Sequence, residues 1–123
     1  MIHAAILGFG TVGSGVAEVL TTNKELLAKK AGQEIALKYI LDTREFPGNP
    51  FEDKVIHDFS VIEQDPQVQV VAECIGGATI AYEFVKRCLQ AGKHVATSNK
   101  ELVATKGYEL QGLFLVGIKQ CTL

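Results

Sequence analysis

The sequence predicts an α/β fold on a doubly wound parallel sheet, and three observations predict it. Short apolar runs end at glycine or at polar turns, the stretches between them carry helical spacing, and the connections are brief. Strand, helix, strand, and then again strand, helix, strand, is the order that parallel sheets require. The first strand is Ile2 to Leu7, apolar and stopped by Gly8. One long helix follows from Thr11 to about Lys30, with Val12, Val16, Val19, Leu20 and Leu27 on its apolar face and Gly32 past its end. Ile35 to Leu41, rich in β-branched and aromatic residues, is the second strand. It leads to Asp42-Thr43-Arg44 and a Pro47-Gly48-Asn49-Pro50 loop.

Lys54 to His57 reads as a short strand. Ser60 and Glu63 have capping-box spacing for one or two helical turns, closed by Asp65-Pro66. Val68 to Ile75 is strand-like and ends at Gly76-Gly77. Ile80, Phe84, Val85, Cys88 and Leu89 then share one helical face, with Gly92 beyond. His94 to Thr97 is the fifth strand, and Asn99-Lys100 opens a further helical stretch.

Composition narrows the function classes. The chain has 123 residues, room for a single domain, and is 47% hydrophobic and 21% charged with net charge −2. No basic patch argues for nucleic acid and no run is long enough to span a membrane, so a cytoplasmic location is expected. Cys74, Cys88 and Cys121 lack metal-ligand spacing and read as reduced thiols. His3, His57 and His94 have no evident acid or nucleophile partner, so neither a metal site nor a hydrolase triad is expected.

Gly8-Phe9-Gly10-Thr11-Val12-Gly13 is a G-x-G-x-x-G pattern. Alone it is a weak signal; between a strand and a helix it becomes a dinucleotide-binding prediction. Gly8 permits the tight turn, Gly10 lets backbone approach a pyrophosphate, and Gly13 lets the helix pack against the strand. Amides at the helix start would hold the phosphates. An acidic residue that holds the adenosine ribose usually comes ~20 residues on. Asp42 comes later, because the long first helix fills the interval. It reads either as that acceptor or as a turn-forming aspartate. Arg44 reads either as a partner for the extra phosphate of NADP or as a solvated loop arginine. NAD and NADP both stay open.

Gly76-Gly77 stands at the carboxyl edge of the sheet, where a nicotinamide ribose would pass; a plain strand-to-helix turn explains it equally. Thr97-Ser98-Asn99-Lys100 ends the fifth strand, where catalytic groups collect in open α/β sheets. Lys100 there can polarise a carbonyl or hold a carboxylate. The alternative is a solvated lysine behind a helix cap at Ser98 or Asn99.

Three blocks, in order, resemble the homoserine dehydrogenase family: Ile6 to Gly15, Val71 to Gly77, and His94 to Leu102. The first is common to several Rossmann enzymes, the second and third much less so. The resemblance implies a Rossmann-like NAD(P)-binding domain over residues 1–110, without the family's substrate domain, and a divergent tail over 111–123. It implies oxidation of L-homoserine to L-aspartate 4-semialdehyde, or the reverse, with NAD or NADP as hydride carrier. It feeds threonine, methionine and isoleucine synthesis in a homo-oligomeric enzyme. By resemblance Phe9, Thr11 and Val12 touch the pyrophosphate, Thr97 and Ser98 border the nicotinamide, and Lys100 acts in catalysis between cofactor and substrate. NADP-preferring members often carry an arginine just before the aspartate; here Leu41 stands there and the nearest arginine is Arg44.

The family's substrate-binding acids, second lysine, sodium site and dimer contacts lie beyond this sequence, so little or no turnover is expected of a cofactor fragment alone. Two rival readings are a stand-alone nucleotide-sensing module and a dehydrogenase acting on aspartate semialdehyde. The apolar tail Leu113 to Ile118 would either supply a sixth strand at the sheet edge or leave an aggregation-prone edge.

Overall fold

The computed structural model describes residues 2–75, 79–97 and 121–122. The elements run β1 (Ile2–Leu7), α1 (Thr11–Thr22), α2 (Lys24–Ala31), β2 (Ile35–Leu41), β3 (Val55–Ile56), α3 (Ser60–Gln64), β4 (Val68–Glu73), α4 (Thr79–Gln90), β5 (His94–Thr97) and β6 (Cys121–Thr122). The sheet has the order β3-β2-β1-β4-β5-β6, and each of its pairings is parallel. The chain thus winds outward from β1 in one direction and then, from β4, in the other. The reversal lies between β1 and β4, the place where such sheets take ligands.

Helices cover both faces. On one, Ala5, Leu7, Leu41, Val71 and Val95 pack against Phe59 and Ile62 of the α3 region and Ala81, Val85, Cys88 and Leu89 of α4. On the other, Ile6 and Ile40 pack against Phe9 and Ala17, with Val16 partly buried beside them. The doubly wound α/β expectation therefore holds.

Several element readings are corrected. The single long helix is two, parted at Asn23. Thr21 and Thr22 donate their hydroxyls back to the carbonyls of Ala17 and Glu18 at 2.9 and 2.8 Å, a local competition that bends helices. The buried stripe of α1 is Gly13 and Ala17, whereas Val12 and Val19 are 51% and 46% exposed. The small residues face the sheet because they allow closer approach. Ser60 does not cap α3: its amide and hydroxyl donate to Asp58 Oδ1 at 2.9 and 2.7 Å, and Glu63 receives Arg87 instead. β4 ends at Glu73, two residues earlier than expected. Gly32 and Gly92 do stand past the ends of α2 and α4, at φ of 80° and 83°. The sixth strand falls on Cys121–Thr122, pairing with Val95 and Ala96. Leu113 to Ile118 lie outside the described residues.

Candidate cofactor site

The strand ends come level at one edge of the sheet. Ile56 pairs with Leu41, Leu41 with Leu7, Leu7 with Glu73, and Glu73 with Thr97. The next residues on β3, β2, β1 and β4 are therefore His57, Asp42, Gly8 and Cys74, side by side. Backbone bonds hold the row: Asp42 N donates to the Ile56 carbonyl at 3.1 Å, Gly8 N to Leu41 at 2.7 Å, and Cys74 N to Leu7 at 2.8 Å.

Gly8 turns the chain away from the sheet at φ 93°, a conformation that L side chains rarely adopt. A Cβ at Gly13 would lie 1.9 Å from the Gly8 carbonyl oxygen, so only glycine lets α1 start this close to the turn. At Gly10 a Cβ would meet nothing within 4 Å. That side of the loop faces open space, and its backbone is accessible to a ligand. Gly8 thus makes the expected turn and Gly13 the expected close packing, and the open side of Gly10 leaves room for a ligand.

Asp42 forms the turn that was one of the two readings open for it, and it also reaches the glycine loop. Its Oδ2 accepts from the Phe9 amide at 2.9 Å, which ties the glycine loop to the tip of β2. Its Oδ1 accepts from the Arg44 amide at 2.9 Å, an Asx turn. The Arg44 guanidinium adds contacts of 3.1 Å to each oxygen, through Nε and Nη2. The carboxylate's four acceptor directions are then all taken. The Arg44 guanidinium holds this carboxyl well below the usual carboxylate range, and the Phe9 and Arg44 amides act in the same direction. Arg44 is itself mostly exposed and lies over the Phe46 ring at 5.1 Å. Phe46 and Phe51 in turn meet the Phe9 ring edge-on, at 5.0 and 6.1 Å, and brace the loop from behind.

In front of the row lies a cavity of about 500 Å³. Gly8, Phe9, Gly10, Asp42, Arg44 and His57 form its polar wall, and Leu41, Phe59, Ile75, Ile80 and Phe84 its apolar one. Sequence reasoning missed the apolar wall. It placed Ile80 on the core face of α4, whereas Ile80 is 61% exposed at the start of that helix and faces the cavity. It is one residue out of phase with the buried Ala81, Val85, Cys88 and Leu89, and that offset was the available signal. An apolar slot beside a phosphate cradle can take a purine ring.

His57 was also missed. Its Nδ1 is 2.6 Å from the Asp42 carbonyl and its Nε2 2.9 Å from a Glu45 carboxylate oxygen. Both oxygens only accept, so the arrangement calls for an N–H on each ring nitrogen, the imidazolium. Accordingly the Asp42 carbonyl, and after it Glu45, raise the pKa above the ordinary 6.5.

Toward β5, Thr97 is buried and donates its hydroxyl to Glu73 at 2.8 Å, joining two strand ends below the edge. Thr11 and Val12 stand exposed at the start of α1, beside the glycine loop. Gly76, Gly77, Ser98, Asn99 and Lys100 lie outside the described residues. Among the described residues no cluster of His, Cys, Asp and Glu could hold a metal ion, and no helix is long and apolar enough to cross a membrane.

The family model for the NAD-binding domain of homoserine dehydrogenase matches residues 8–114. Homoserine dehydrogenase of Methylobacillus glycogenes is 41% identical over 108 residues, covering 84% of this chain and 26% of that protein. That of Pseudomonas aeruginosa is 37% identical over 110 residues, covering 89% of this chain and 25% of that one. The crystal structure of a homoserine dehydrogenase from Thiobacillus denitrificans superposes with a TM-score of 0.87 at 32% identity, over 99% of this chain and 29% of that one. The chain thus spans about a quarter of the length of the curated relatives it matches.

Proposed function

Because the chain belongs to the homoserine dehydrogenase family, as that family's NAD-binding domain, we propose that it binds NAD or NADP at the level edge and serves the interconversion of L-homoserine and L-aspartate 4-semialdehyde. The observation that carries this reading is the glycine loop. Gly13 has no room for a side chain, Gly10 faces open space, and Asp42 holds the Phe9 amide at the mouth of the cavity.

In this reading Gly8, Phe9, Gly10, Thr11, Val12 and Gly13 hold the pyrophosphate, through backbone amides and the α1 N-terminus. Asp42 takes the adenosine ribose in place of the two Arg44 guanidinium contacts, Arg44 lies beside it, and the apolar wall takes the adenine. Gly76 leaves passage for the nicotinamide ribose, while Thr97 and Ser98 border the ring. The bound nicotinamide supplies or accepts the hydride. Lys100 then polarises the substrate oxygen at the reacting end, with L-homoserine or the semialdehyde held by the part of the relatives that this chain does not span. We propose residues 1–110 as the domain proper and 111–123 as a divergent tail, in an assembly of like subunits.

Titration with NADH and with NADPH, following nicotinamide fluorescence, tests the reading. Saturable binding of at least one cofactor is expected, abolished by Gly13→Val. Absence of binding to both would overturn it.

A further inference from the structure

Beside Arg44 the cavity has a second basic group that the cofactor reading does not use. His57 follows β3 directly, one strand over from Asp42 in the level row, and lines the same cavity as Arg44. Its Nδ1–H is fixed on the Asp42 carbonyl at 2.6 Å, which sets the ring's orientation. Its Nε2–H goes to Glu45, whose side chain is 79% exposed. One donor is therefore anchored and the other is held only by an exchangeable surface carboxylate.

We infer that His57 is a proton-gated ligand for the 2′-phosphate of NADP, so that the site's preference for NADPH over NADH falls as pH rises. The inference rests on the cofactor reading above and adds a second specificity residue to it. An imidazolium can donate Nε2–H to a phosphate oxygen; a neutral ring that keeps its proton on Nδ1 presents a lone pair to the same phosphate. NADH carries no anion at that position and is indifferent to the change.

The charged groups around the ring support this assignment. From the loop after β2 come Asp42, Arg44 and Glu45, and from its own segment comes Asp58, whose carboxylate is engaged by Ser60. From α3 and α4 come Glu63 and Arg87, paired with each other at 2.6 Å over the Phe59 ring. Asp42 and Glu45 are the groups that act on His57, and both favour its protonated form. The sign follows: with the pKa raised by these contacts, the imidazolium survives to higher pH than in a free histidine and is lost as pH rises further.

The test measures dissociation constants of NADPH and NADH for the full chain by fluorescence from pH ~6.5 to ~9 at fixed ionic strength. The 2′-phosphate, with its second pKa at ~6, stays doubly ionised across most of that window. NADPH binding is expected to weaken about 1.5- to fivefold across it, the range of an exposed charge pair, with NADH binding flat. His57→Gln should give the high-pH NADPH affinity throughout, and His57→Lys the low-pH affinity throughout. Equal pH dependence for both cofactors, or its survival in His57→Gln, would sink the inference. So would saturable NADH binding with no NADPH binding at any pH. Failure of both cofactors to bind the wild-type chain would instead remove the cofactor reading itself.

Discussion

At the scale of single residues, the site depends on atoms that cannot be exchanged for near equivalents. Gly13→Ala would put a methyl 1.9 Å from a backbone oxygen that cannot yield without moving the turn. A destabilisation of about 1–3 kcal/mol is expected in chemical unfolding, together with loss of cofactor binding. Gly15, where a Cβ would meet nothing within 4 Å, is the control. Its alanine variant should be more stable by roughly 0.5–1 kcal/mol, since alanine loses less backbone freedom in a helix. Asp42→Ala leaves the Phe9 amide without its acceptor. A loss of about 1–3 kcal/mol is expected, with at least tenfold weaker binding of both cofactors by titration. On the proposed reading Arg44 works against one cofactor and for the other. While it fills the Asp42 acceptor directions it competes with ribose hydroxyls, so Arg44→Gln should tighten NADH and weaken NADPH.

At the scale of elements, what is legible in the sequence depends on the type of constraint. Strand positions, the glycine turn and the stops at Gly32 and Gly92 are written in residue types that few other conformations accommodate. The break at Asn23 was not legible, because both flanking segments carry helical spacing; two threonine hydroxyls bonded back to the preceding turn accompany it. The buried face of α1 was misread because apolar spacing points to Val12 and Val19, whereas close packing selects Gly13 and Ala17. Asp42 was legible as a candidate because an acid often stands at this strand tip in dinucleotide-binding folds, whereas its contact with the Phe9 amide was not legible. His57 was passed over because its partners, the Asp42 carbonyl and Glu45, belong to another strand and its following loop. Lys93 was invisible for a similar reason. It is buried at the start of β5 and donates to the carbonyls of Asp65 and Val68 at 2.7 and 2.8 Å, sewing the α3–β4 corner to the sheet. Lys93→Met would strand both carbonyls, and thermal unfolding should register a loss of about 1–3 kcal/mol.

At the scale of the whole molecule, two behaviours follow from charge and burial. Asp65 accepts from Lys38 at 2.6 Å and from the Tyr39 hydroxyl at 2.8 Å, and Lys38 chiefly holds its carboxyl down at about 2. A depressed carboxyl contributes stability that is complete above its unfolded value of 3.8 and lost as pH falls toward 2. Acid unfolding monitored by circular dichroism should therefore steepen in that window, and Asp65→Asn should flatten it. Burial pushes the Cys74 and Cys88 thiols up to about 11 and about 12, so both should resist alkylation at neutral pH until denaturant is added. The level edge has a consequence of another sort. From Ile56 on β3 to Thr97 on β5 the register crosses four strand spacings, and at ~4.8 Å each these make ~19 Å. On the proposed reading the sheet is a ruler laid along an extended dinucleotide, with the adenosine end gauged by β2 and β3 and the reacting end by β5. Two short molecules, each copying one half of the cofactor, should therefore occupy the ruler together rather than displace one another.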